Sequence, residues 1–117
     1  MITILLVEDE EPILGIIADL LQDEGYRTIC AYNGAQALEL ARDTRPDLVL
    51  TDVMMPVLGG AELCRQLKAD PATRDVPVIV MSAAGALPLD GCTPEAFIAK
   101  PFDLDALLRL VVRHLST

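Results

Sequence analysis

Five polar side chains stand directly after short apolar runs. Glu8 and Asp9 follow Thr3–Val7, Asp52 lies just past Leu48–Leu50, Ser82 follows Pro77–Met81, and Lys100 follows Ala96–Ala99. In DLVLTDVMMP the run before Asp52 has the aliphatic character of a strand buried on both faces, so a carboxylate at its end needs a reason. Functional groups of an open parallel sheet gather beyond the carboxyl ends of its strands. If these runs form one such sheet, with the first strand beside the third, three carboxylates converge in a shallow cleft. They repel one another, and their pKa values rise unless a cation compensates. Oxygen ligands select a hard divalent ion, and a site with few protein ligands that keeps its waters suits Mg²⁺ better than Ca²⁺. On the other side, the Lys100 ammonium and the Ser82 hydroxyl would hold an anion beside the metal, and a phosphoryl group fits. Asp52 would then be the nucleophile, giving an aspartyl phosphate.

Each residue also has an ordinary role. Glu8 and Asp9 continue into Glu10 and Glu11, an acidic cluster favourable to a helix N-terminus. Asp52 suits a turn cap, Ser82 a bond to nearby backbone, and Lys100 a surface charge. Taken singly, these readings are the better ones. Taken together, in register at the strand ends, the residues favour the cleft.

The elements that must position them follow from periodicity. Thr3–Val7, Arg27–Ala31, Leu48–Leu50, Pro77–Met81 and Ala96–Ala99 read as five strands. Pro12 opens a helix carrying Ile13, Ile17, Leu20 and Leu21, and Gly25 ends it. Asn33 caps a helix through Ala35, Leu38 and Ala41. A third helix aligns Leu63, Cys64 and Leu67. Asp103 caps a last one with an apolar stripe of Leu104, Leu107, Leu108, Val111 and Leu115. Strands alternating with helices predict an α/β domain with a parallel sheet covered on both faces.

Composition bounds the function. The 117 residues suit one domain, 1–117, and are 52% hydrophobic but only 3% aromatic, so the core is aliphatic. A net charge of −9 repels nucleic-acid phosphates and anionic membranes, and favours a cation or a basic protein surface as partner. Cys30, Cys64 and Cys92 are odd in number and widely spaced, which predicts free, packed thiols in a reducing cytoplasm. The N-terminus lacks the basic region of a signal peptide. The longest apolar stretch, Val76–Leu89, is broken by prolines and too short to span a bilayer. A soluble, cytoplasmic protein is expected.

ILLVEDE, DLVLTDVMMPVLGG, VIVMSAAG and FIAKPF, in this order, give the chain a close resemblance to the receiver domain of two-component response regulators, over essentially its whole length. The resemblance implies a flavodoxin-like, doubly wound five-stranded parallel sheet of order 2-1-3-4-5 with helices on both faces. It also implies a phosphorylation-dependent signalling switch that takes a phosphoryl group from a sensor histidine kinase or a histidine phosphotransfer protein. Such a domain catalyses its own aspartyl phosphorylation and dephosphorylation, and passes the signal to an effector protein or output domain. Asp52 matches the phosphoacceptor, and Asp9 and Glu8 match the acidic metal ligands for Mg²⁺. Met54 matches the residue whose backbone carbonyl completes the metal site. Ser82 and Phe97 match the two switch positions, and Lys100 the phosphate-binding lysine. Pro101 follows a peptide bond that is often cis in the family, and Pro56 and Gly60 match the loop after the acceptor.

Two departures stand out. Gly59 replaces a frequent Asp. Lys100 lies only eighteen positions after Ser82, and the intervening AAGALPLDGCTPEAF carries Pro88, Gly91 and Pro94. Proline costs about 3 kcal/mol in a helix interior and glycine about 1. The fourth helix, between the fourth and fifth strands, is therefore expected to be short or missing, and Ala83–Glu95 a loop or one or two helical turns. The eroded segment leaves a second reading: a pseudo-receiver acting only as a protein-interaction module, without phosphorylation. An aspartate-dependent phosphohydrolase would want a carboxylate two residues after the nucleophile, where Met54 stands. His114 reads as a surface residue favourable to a helix C-terminus.

Overall fold

The computed structural model describes residues 1–55, 57–82 and 93–115. Its elements run β1 (Thr3–Val7), α1 (Glu11–Asp23), β2 (Arg27–Ala31), α2 (Gly34–Thr44), β3 (Leu48–Asp52), α3 (Gly60–Ala69), β4 (Val78–Ser82), β5 (Ala96–Ala99) and α4 (Leu104–Leu115). The five strands form one parallel sheet in the order β2-β1-β3-β4-β5. This is the doubly wound order expected from the sequence. β4 ends one residue later than its apolar run suggested, so Ser82 belongs to the strand.

The strands alternate between two cores. Leu5, Val7, Val49, Val78 and Val80 pack with Leu38 of α2 and Leu63 and Leu67 of α3. Ile4, Leu6, Leu48, Leu50, Ile79 and Met81 pack with Ile17 and Leu21 of α1 and Leu107 and Val111 of α4. Each fully buried Leu or Ile contributes about 1.5–3 kcal/mol, which is why the three central strands are aliphatic on both faces. In α4 the predicted stripe holds at Leu107 and Val111, but Leu104 is exposed. It sits in the first turn, at the rim of an apolar groove that it shares with Ile13, Ile16 and Phe102.

Caps set the helix ends. Gly25, at φ +89°, closes α1: its N–H donates to Gln22 O and that of Tyr26 to Leu21 O, the paired bonds of a left-handed terminus. Asn33 Oδ1 accepts from Gln36 N at the start of α2, and Asp103 Oδ1 from Asp105 N at the start of α4. Both caps are where the sequence places them.

One expectation is corrected. Cys30 is a free thiol, but Cys64 is disulfide-bonded. Sequence spacing could not show this, because spacing gives the face of α3 on which Cys64 lies buried but not what that face meets. The expected shortening of the helix between β4 and β5 falls on residues 83–92, outside the described residues, as does Cys92; residues 93–95 are irregular. No helix among the described residues is long and apolar enough to cross a membrane.

Candidate functional site

Strand register builds the cleft. Val7 pairs with Thr51, Asp52 with Met81, and Ser82 with Ala99. Glu8, Asp52, Ser82 and Lys100 therefore leave the sheet at one level. Backbone bonds carry the ladders past the strand ends: Glu8 N to Ala31 O, Val53 N to Met81 O, and Lys100 N to Ser82 O. The backbones that carry these side chains are thus tied into the hydrogen-bond ladders of the sheet.

The sheet brings Glu8, Asp9 and Asp52 together, each offering a carboxylate oxygen within 4.8 Å of the others. Lys100 reaches across the edge, its Nζ 2.9 Å from Glu8 Oε1 and 3.3 Å from Asp52 Oδ1. Lys100 contacts both carboxylates, and the shorter bond goes to Glu8. Glu8 is wholly buried, has the longer side chain and keeps its second oxygen on Glu10 N. Asp9 is exposed.

The charges do not balance. Burial pushes the Glu8 carboxyl above its ordinary range, against the pull of Lys100 and the Glu10 amide. Burial likewise pushes Asp52 up, and the Lys100 ammonium offsets this only in part. For Lys100, burial favours the neutral amine, but Glu8 and Asp52 outweigh it and hold its pKa above the ordinary lysine value. One cation faces three carboxylates. An all-oxygen donor set with excess negative charge fits a hard divalent ion.

The flanking residues fall as follows. Ser82 is buried at the end of β4. Phe97 lies on β5 opposite Val80, with its ring partly exposed. Met54 lies two residues past Asp52 with an exposed side chain, and the Lys100–Pro101 peptide bond is cis. Pro56 lies outside the described residues. Gly60 is required by space: a Cβ there would stand 2.2 Å from Asp52 O. Only glycine lets α3 begin against the backbone of Asp52. His114 is half-buried near the end of α4, with Nδ1 2.9 Å from Leu110 O.

Residues 4–112 match the family model of the response regulator receiver domain. The chain belongs to that family. Among receiver-domain relatives, the polar-differentiation response regulator DivK of Brucella anthropi is 35% identical over 97% of this chain and 96% of its own length. The signal receiver domain of a signal transduction histidine kinase from Syntrophus aciditrophicus superposes with a TM-score of 0.93 at 35% identity, over 99% of this chain and 91% of that one. The receiver domain of a sensor histidine kinase from Pseudomonas aeruginosa, solved with a magnesium ion coordinated in its active site cleft, gives a TM-score of 0.91 at 31% identity, over 98% of each chain. The flavodoxin-like architecture of receivers is thus the architecture of this chain.

Proposed function

We propose that the chain acts as one receiver unit and as a phosphorylation-dependent switch, with Asp52 as the acceptor. The observation that carries this reading is the cluster of Glu8, Asp9 and Asp52 with Lys100 Nζ within bonding reach of two of its members. Lys100 holds one Asp52 oxygen, and the other attacks phosphorus. An O–P bond forms, the P–N bond of a donor phosphohistidine breaks, and the electron pair stays on the imidazole nitrogen. Lys100 then moves its ammonium to a phosphoryl oxygen, and the Ser82 hydroxyl donates to another. Phe97 follows Ser82, coupling the cleft to the exposed side of β5.

Glu8, Asp9, Asp52 and the Met54 carbonyl would hold Mg²⁺, whose charge would offset that of the incoming phosphoryl group. The partners on this reading are a sensor histidine kinase or histidine phosphotransfer protein upstream, and an effector protein or output domain downstream. The relatives' names, a response regulator and the receivers of histidine kinases, support such partners. The test is incubation with a small phosphodonor, with and without Mg²⁺, followed by intact-protein mass spectrometry. A Mg²⁺-dependent gain of one phosphoryl group is expected. No gain under any condition would leave the interaction-module reading in its place.

A further inference from the structure

Gly34 is the first residue of α2, and its N–H is one of the amides that a helix cannot satisfy internally. The local capping groups serve other amides: Asn33 Oδ1 takes Gln36 N, and Gln36 Oε1 takes Tyr32 N. The Gly34 N–H, which is buried, instead donates to a different part of the chain, to Leu58 O at 2.9 Å. Leu58 belongs to the loop that follows Asp52. A Cβ on residue 34 would stand 2.3 Å from Leu58 O and 2.9 Å from Leu58 C and Cβ. Two of these atoms are backbone, so no change of rotamer relieves the clash.

Gly34 does not need its own conformational freedom, because its φ lies outside the left-handed region. Alanine would be the better helix former by about 1 kcal/mol. What the position demands is space. The loop it holds is itself under strain: Val57, next to Leu58, sits at φ +69°, which a β-branched residue rarely adopts. Strained backbone of this kind persists only where its surroundings fix it. The near end of the loop is fixed by Gly60 N to Val53 O at 2.8 Å. The Gly34 bond supplies the second fixed point.

We propose that Gly34 is a positioning residue for the acceptor site: α2 latches the loop after Asp52 through the Gly34 N–H, at an approach only glycine allows. Resting on the reading of Asp52 as acceptor and the Met54 carbonyl as a metal ligand, the latch sets where that carbonyl stands.

Three measurements test it. In the wild-type protein without metal, the Gly34 amide should be protected from hydrogen exchange like the interior of α2, although it is a first-turn amide; exchange at the rate of an unstructured amide overturns the latch. Gly34→Ala, with its fold verified by NMR, should shift the amide resonances of residues 53–60 and weaken Mg²⁺ binding, read by NMR titration, about 10- to 100-fold. Gly15→Ala makes the same change in α1, where a Cβ meets nothing within 4 Å, and should leave both unchanged. A Gly34→Ala protein with wild-type shifts at residues 53–60 overturns the proposal, and so does one with wild-type Mg²⁺ affinity. If the wild type takes up neither Mg²⁺ nor phosphoryl group, the functional reading falls, and the latch is decided by shifts and exchange alone. If Gly34→Ala does not fold, the wild-type exchange rate decides.

Discussion

Lys100 and Lys68 each set an ammonium against a glutamate, one at the carboxyl edge of the sheet and one at the amino edge. At the carboxyl edge Glu8 is wholly buried, and Lys100 is shared with Asp52. At the amino edge Lys68 Nζ lies 2.7 Å from Glu95 Oε2 and also donates to the carbonyls of Val76 and Arg74. Glu95 accepts Val78 N at 2.7 Å and keeps 38% of its side chain exposed. The titration directions are opposite. Burial raises Glu8 and Asp52. For Glu95 burial also acts upward, but the Lys68 bond and the Val78 amide outweigh it and hold the carboxyl below its ordinary range. The same pair of residue types therefore makes a satisfied clamp in one place and an unbalanced site in the other. The difference lies in the number of carboxylates per cation and in access to water.

The comparison breaks most sharply at Asp52. Asp52→Asn should abolish phosphoryl uptake in the mass spectrum, while its urea midpoint holds or rises, because a buried and under-compensated charge is gone. Labelling at the wild-type level would remove Asp52 from the acceptor role. Next in size is the metal. Mg²⁺ at about 100 times its Kd should add about 2.7 kcal/mol to the stability of the wild type. Asp9→Ala should gain far less at the same concentration, and an equal gain would show that Asp9 is no ligand.

The clamp predicts a smaller and purely structural effect. Lys68→Met should cost about 1 kcal/mol in urea unfolding, a value discounted for the exposure of Glu95, with phosphoryl uptake untouched. Wild-type stability in that variant would mean the clamp contributes nothing. The smallest effect is its pH dependence. Glu95 is lowered on folding, so its contribution is fully present above its ordinary value of 4.5 and is lost as pH falls through the depressed folded value. The gap between wild type and Lys68→Met should narrow under acid. Asp52 is raised, so its cost accrues as pH rises above its ordinary value of 3.8. Any stability gain of Asp52→Asn should therefore open with rising pH, and urea midpoints of the three proteins across that range would show whether both gaps widen as pH rises, with Lys68→Met falling below the wild type and Asp52→Asn rising above it.

Much of the molecule was legible in the chain. The aliphatic runs marked all five strands, Asn33 and Asp103 marked two caps, and the polar residues after the runs marked the cleft. What was not legible depended on neighbours distant in sequence. Lys68 and Glu95 lie 27 residues apart, and no local pattern pairs them. Gly34 read as an unremarked residue behind a cap, because nothing near it in sequence reveals Leu58 above it. The exposure of Leu104 was missed because helical spacing gives the face of a residue but not how far the neighbouring elements extend over it.

The sequence by itself determined the elements, their two-sided burial and the set of groups at the carboxyl edge, since these depend on local periodicity and on the rule that strand ends collect function. Only the tertiary structure decided how those groups share their charge. Lys100 bonds Glu8 across 92 residues at 2.9 Å and stands farther from Asp52, at 3.3 Å. Cys64 is disulfide-bonded while Cys30 is not. Such choices follow from strand register, burial depth and side-chain length acting together, which no local pattern encodes.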